Sequence, residues 1–140
     1  MKRFSFNLQK IMELRSYREQ EAKVELGRAV GVLTAIENRI KETALMRHNA
    51  AKERFADPAA MPAWDHYIIR LDQEAERLAR EAARAELALE EKRALYLEAS
   101  RELKVMEKLK ERREKEYRKE MFGAETAELD DMWRGGDALP

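Results

Sequence analysis

The sequence predicts an all-α protein, a long two-helix antiparallel coiled-coil hairpin, and three observations carry that prediction. In the second half, Trp64, Ile68, Leu71, Ala75, Leu78, Ala82, Ala85 and Leu89 step by alternating fours and threes, skip at Lys92, and resume with Tyr96, Ala99, Leu103 and Met106. In the first half, Leu8, Met12, Ala22, Leu26, Ala29, Leu33, Ile36 and Ile40 keep the same spacing. An average step of about 3.5 residues holds one narrow apolar stripe against a partner helix. Between the halves lies Asp57-Pro58-Ala59-Ala60-Met61-Pro62, where one proline follows an Asp cap and the next can open a new helix in its first turn.

Taken in order, the spacing predicts helix 1 over about 4–56, a bend over about 57–62, helix 2 over about 63–122, and a short acidic, partly helical tail over about 123–140, all in one coiled-coil domain. In helix 1, Arg15 and Glu19 break the stripe near its start, and Thr43 and Arg47 thin it near its end. Gly27 and Gly31 sit four apart in a charged amphipathic helix, which marks either a close helix approach or a soft spot rather than a membrane pairing motif. Pairing residues whose numbers sum to 118 aligns the two stripes: Leu33 with Ala85, Ile36 with Ala82, Ala29 with Leu89 and Ile40 with Leu78. Large faces small in most of these layers, as close packing requires. A register one heptad longer packs nearly as well, and the first is preferred because it centres the bend between the prolines. At about 1.5 Å per residue, helices of about 50 and 60 residues extend about 75 and 90 Å, so helix 2 is expected to run past the start of helix 1. The expected chain is a monomer when alone, with both termini at the end opposite the bend.

Composition agrees with a rod. Of 140 residues, 40% are charged and 44% hydrophobic, and much of the hydrophobic share is Ala, which packs between helices without building a deep globular core. With no cysteine, neither a disulfide, a thiolate nucleophile nor a cysteine-ligated zinc can form, which fits a reducing compartment and makes the cytoplasm the default location. No apolar run approaches the roughly 20 residues of a membrane span. Met1-Lys2-Arg3 leads into mixed polar sequence rather than a signal-peptide core.

Catalytic chemistry finds little to work with. His48 and His66 are the only histidines, separated by the bend, and neither has a histidine or cysteine at ligand spacing. No glycine-rich phosphate loop is present, so no catalytic, metal or cofactor site is expected. Nucleic acid is not an expected partner, because the formal net charge is zero and the basic stretch is interleaved with Glu.

Two segments rise above a generic coiled coil. At the amino end, Phe4, Leu8, Ile11 and Leu14 form a wider apolar face than a two-helix seam needs. Either this face meets a further partner, or Phe4 and Phe6 close the hairpin's open end over Leu109, Tyr117 and Phe122. In the second segment, residues 101–120, basic residues outnumber acidic ones, and Lys110 and Arg113 stand where the heptad calls for apolar side chains. The seam is expected to end there. Beyond Phe122-Gly123 the charge inverts, with Glu125, Glu128, Asp130 and Asp131 ahead of Met132-Trp133 and a fraying Gly135-Gly136.

Together these segments resemble a family. Phe4-x-Phe6-x-Leu8-x-x-Ile11-x-x-Leu14-Arg15, followed by Glu19 and Ala22, and Glu107-Lys108-Leu109-Lys110-Glu111-Arg112-Arg113 with Tyr117, Glu125 and Leu129-Asp130-Asp131, are similar to the flagellar export protein FliJ of bacterial type III secretion. The likeness runs from Phe4 to about Trp133. It implies a non-enzymatic coiled coil, similar to the central stalk of rotary ATPases, that inserts its paired termini into the ring of the export ATPase FliI and promotes its assembly and activity. It also implies contacts with the export gate protein FlhA at the cytoplasmic side of the inner membrane, and with export chaperones. The family defines no catalytic side chains. The regions that match its ring-inserting end are Phe4 to Arg15 and Lys108 to Phe122, so the expected ring-binding residues are Phe4, Phe6, Leu8 and Ile11 with Lys108, Leu109, Lys110, Arg112, Arg113, Lys115, Tyr117 and Arg118. The gate-contacting surface stays unassigned, because Arg70, Glu74, Arg77 and Glu81, read as the outer face of helix 2, offer no apolar anchor. Two rival readings remain open: the corresponding stalk of a non-flagellar injectisome, and a passive coiled-coil tether or holdase without ATPase contact.

Overall fold

Helix α1 spans Gln9–Glu53 and helix α2 spans Met61–Asp137, joined through one 3-10 turn at Pro58–Ala60. The computed structural model describes residues 3–137, the last two by their backbone alone. Met1, Lys2 and the end of the expected tail, 138–140, lie outside the described residues. The two long helices pack together, and no strand occurs among the described residues, so the chain is an all-α helical hairpin. Its packing divides into two compact units: Gln20–Glu98, which contains the bend, and Met1–Glu19 with Ala99–Pro140, which pairs the two ends of the chain.

The bend forms because its polar groups are satisfied locally. Asp57 is extended, with φ −140° and ψ 111°, and its carboxylate accepts from the Ala59 amide at 3.0 Å. Pro58, which has no N–H to satisfy, occupies the first position of the turn, and the Met61 amide then donates to the Pro58 carbonyl. Arg54, just past the end of α1, clamps this corner by pairing in two-pronged fashion with Asp65 of α2, at 2.5 and 3.4 Å. Ala50 is only 2% exposed below it, small enough to let the helices close before the turn.

In the same unit the seam is built on Leu78, which is fully buried at 0% exposure, with Leu71 and Ala85 also buried on α2. Thr43 and Ala50 are the buried residues of α1, so Thr43 completes the seam instead of thinning it. Arg39 reaches Glu74 at 3.7 Å across a sum of 113, and two further cross-helix pairs lie nearer the preferred register: Arg47 with Asp72 at 2.6 Å and Glu25 with Lys92 at 4.0 Å. Their residue numbers sum to 119 and 117, on either side of the register preferred from the sequence and a heptad away from the alternative.

The position of Glu74, Arg77 and Glu81 corrects the sequence reading. They are half-buried against the seam, whereas Ala75, expected within it, is exposed. The long stem of Glu74 can reach over the junction and the short Ala75 cannot. Glu74 there meets Arg39 of α1 at 3.7 Å and pairs with Arg77, which also pairs with Glu81. The hydrogen bond from Arg77 holds the Glu74 carboxyl below its ordinary value, and the charge of Arg39 acts in the same direction. This carboxylate therefore favours the folded chain above the ordinary Glu range, and the contribution fades as pH falls through its lowered value.

Gly27 and Gly31 are exposed, and a Cβ added at either meets nothing within 4 Å. No close helix approach requires them, which leaves them as soft spots in α1. Gly27→Ala and Gly31→Ala should each raise stability by about 0.5 to 1 kcal/mol, because alanine restricts the unfolded chain and fits the helical backbone. A higher melting temperature for the double variant checks this, and a lower one would mean that the glycines serve a contact.

In the unit of paired ends, α2 does not stop at Phe122. Gly123 does not have a positive φ and so is not a helix terminator here. The residues after it, Ala124, Glu125, Ala127, Glu128 and Leu129, are good helix formers, and the helix runs on to Asp137.

Candidate interaction surface

Ahead of α1 the chain enters by a turn in which the Gln9 amide donates to the Phe6 carbonyl at 3.0 Å. That turn drops the Phe6 side chain onto α2, where it is buried. The Arg113 guanidinium lies 5.7 Å from the Phe6 ring centroid and also donates to the Asn7 side-chain oxygen. One turn further along α2, Phe4 packs on Tyr117 with ring centroids 5.5 Å apart and planes tilted by 50°. On the other side, Arg15 donates to the Glu102 carbonyl at 3.4 Å, and Met106 is buried between these contacts.

The seam therefore does not end at Lys110. Lys110 and Arg113 are both half-buried, and the segment entering α1 lies on Arg113 through Phe6 and Asn7. Their long side chains can lay methylene stems over apolar neighbours while the charged heads reach solvent, so a basic residue can fill a seam position. Of the two readings of the amino end, closure holds for Phe4 over Tyr117 and for the buried Phe6, while Ile11 and Leu14, 44% and 48% exposed, keep part of the wider apolar face outward. Closure does not extend to Phe122, which is 72% exposed.

The residues singled out from the sequence thus sort into two layers. Phe4, Phe6, Leu8, Leu109, Lys110, Arg113 and Tyr117 are buried or half-buried and make the local core of the paired ends. Ile11, at 44% exposure, and the charged Lys108, Arg112, Lys115 and Arg118 face outward. Lys115 pairs with Glu111 one turn back at 3.5 Å, on an open surface where such a pair adds little stability. On α2 the outer layer is consequently basic and free to meet a partner without unpacking the inner one.

The other unit carries a surface that the sequence did not disclose. Beside the bend, Met46, Asn49, Ala50, Glu53, Ala63, Trp64 and Tyr67 line an open, mostly apolar groove of about 560 Å³. Trp64 and Tyr67 meet edge to face there at 5.9 Å, and Arg70 lies 5.7 Å from the centroid of the Tyr67 ring. Heptad spacing marks Trp64 as a seam residue and it is half-buried, and the hollow arises because Ala50 and Ala63 are too small to fill the space beside it.

Among the described residues, no group of three or more His, Cys, Asp or Glu side chains is placed to hold a metal ion. No helix there is long and apolar enough to cross a membrane. Searches of curated proteins and of solved structures return no match. A family model does match: the one described as Flagellar FliJ protein aligns with residues 4–134. That span includes both layers of the paired ends, the bend and nearly all of α2, and the chain belongs to the FliJ family of flagellar export-related coiled-coil proteins.

Proposed function

We propose that the chain is a non-enzymatic stalk of the flagellar export apparatus, whose paired ends enter the ring of the export ATPase FliI and promote its assembly and activity. One observation carries this reading. Up to Tyr117, where the entering chain lies on α2, Phe6 is buried and Phe4 stacks on Tyr117, while Lys108, Arg112, Lys115 and the adjoining Arg118 turn to solvent. A shaft within a ring must be slender, and it must present charge rather than sticky apolar surface if it is to shift between neighbouring subunits. Dense exposed charge also speeds encounter with a partner of complementary potential.

On the same proposal the chain works at the cytoplasmic side of the inner membrane, where it contacts the export gate FlhA and export chaperones. The groove beside the bend offers an apolar anchor that Arg70, Glu74, Arg77 and Glu81 do not, and it is where we place the gate contact. The test is to add the purified chain to the export ATPase and follow phosphate release, together with retention of the ATPase on the immobilised chain. Stimulation with retention is expected. Retention of neither the ATPase nor the gate, with no change in rate, would replace this reading by a passive tether or holdase. Stronger stimulation of an injectisome ATPase than of the flagellar one would move the stalk to that system.

A further inference from the structure

Beyond Tyr117, the last α2 residue stacked by the entering chain, α2 continues for twenty residues to Asp137, a rise of about 30 Å. On this extension Phe122 is 72% exposed, Leu129 58% and Trp133 73%. With Thr126 they step by four, three and four, so they share one helix face. The same steps continue backward through Lys119, Lys115, Arg112 and Lys108, all exposed. A single outward stripe therefore runs along α2, basic in its first half and apolar in its second. Arg112, Lys115, Glu116, Arg118, Lys119 and Phe122 line a shallow groove of about 500 Å³ on it, floored largely by methylene stems. Acidic residues Glu125, Glu128, Asp130 and Asp131 flank the apolar half.

We infer that this stripe binds a second copy of the same chain, antiparallel, as a two-fold dimer. Charge decides both the partner and its direction. A parallel copy would set the acidic half against the acidic half and the basic against the basic. An antiparallel copy sets each half against its complement, twice over by symmetry. The stripe keeps its four-three layers when facing residues sum to 241. Trp133 then faces the other copy's Lys108, Leu129 faces Arg112 and Phe122 faces Lys119, an arrangement in which aromatic rings receive cations and basic stems cover Leu129. Beside this seam Glu125 comes opposite Arg118. The hairpin seam stays within each chain, and the monomer expected from the sequence becomes the dilute state of a concentration-dependent pair. This inference does not depend on the ATPase reading.

The absence of cysteine from the sequence makes the arrangement directly testable on the full chain. Lys115→Cys and Thr126→Cys copies should form a disulfide when mixed under mild oxidation, since 115 faces 126, and neither variant should link efficiently to itself. Self-linking of each variant without cross-linking would mean a parallel pair and would overturn the proposal. By sedimentation equilibrium the wild-type chain should pass from monomer to dimer between about 10 and 500 µM at low salt, and a monomer throughout would overturn it as well. Arg118→Glu and Glu125→Arg should each weaken association by about tenfold, because each reverses two symmetric pairs, and the double variant should recover most of the loss. No recovery, with helicity unchanged, would show that these residues do not face one another.

Discussion

Leu78→Ala should lower the unfolding free energy by about 3 kcal/mol, within the usual range for emptying a fully buried leucine site. Leu78 is the largest side chain with no exposure. Its neighbours along the seam are the small Ala82 and Ala85, which cannot grow into the space it leaves. Leu33, a residue of the same stripe, is half-buried, and its truncation should cost about 1 to 2 kcal/mol because part of its surface already faces water. Glu76 and Arg80 are exposed on α2, and replacing either should change stability by no more than about 0.5 kcal/mol. Urea unfolding followed by helical circular dichroism separates the three classes. Equal losses at Leu78 and Glu76 would contradict the seam as described.

Reversing Arg112, Lys115 and Arg118 to Glu should reduce stimulation of the export ATPase by about tenfold or more while leaving the helical signal nearly intact. All three side chains are exposed and outside the aromatic core of the paired ends. Arg113 is left out of this variant because it bonds Asn7 and covers Phe6, so its reversal would disturb the inner layer. The difference from wild type should be greater at low salt, since at 0.1 M charge contacts are already screened over about 10 Å. Reversals at Lys52 and Arg80, exposed residues of the other unit, should leave stimulation unchanged. The comparison belongs at sub-micromolar chain, below the range in which copies pair. Loss of stimulation from the Lys52 and Arg80 variants, with the terminal variant behaving as wild type, would move the ring contact from the paired ends to the unit that holds the bend.

The aromatic closure of the amino end shows where reading along the chain falls short. A heptad count treats Lys110 and Arg113 as the end of a seam, because it asks only which residue type occupies each position. Both are half-buried, and Arg113 is met by the turn at Phe6, more than a hundred residues away in sequence, which folds back onto it. Glu74 and Ala75 fail similarly, since side-chain length rather than polarity decides which one shields the junction. Phe122-Gly123 reads as a stop, yet a glycine ends a helix only when it leaves helical backbone angles, and the alanines and glutamates after it keep the helix going.

What spacing and turn chemistry carried unaided was the hairpin itself: two stripes with one period, prolines that admit the bend at one place, and a register that matches large layers to small. Those features are local or periodic, and any segment of the chain displays them. Which charged residues are half-buried and which face outward, the apolar groove beside the bend and the bare stripe on α2 were settled only by the folded chain. Burial is a property of the atoms that surround a side chain, and here those atoms come from the opposite helix, brought near only when the chain doubles back.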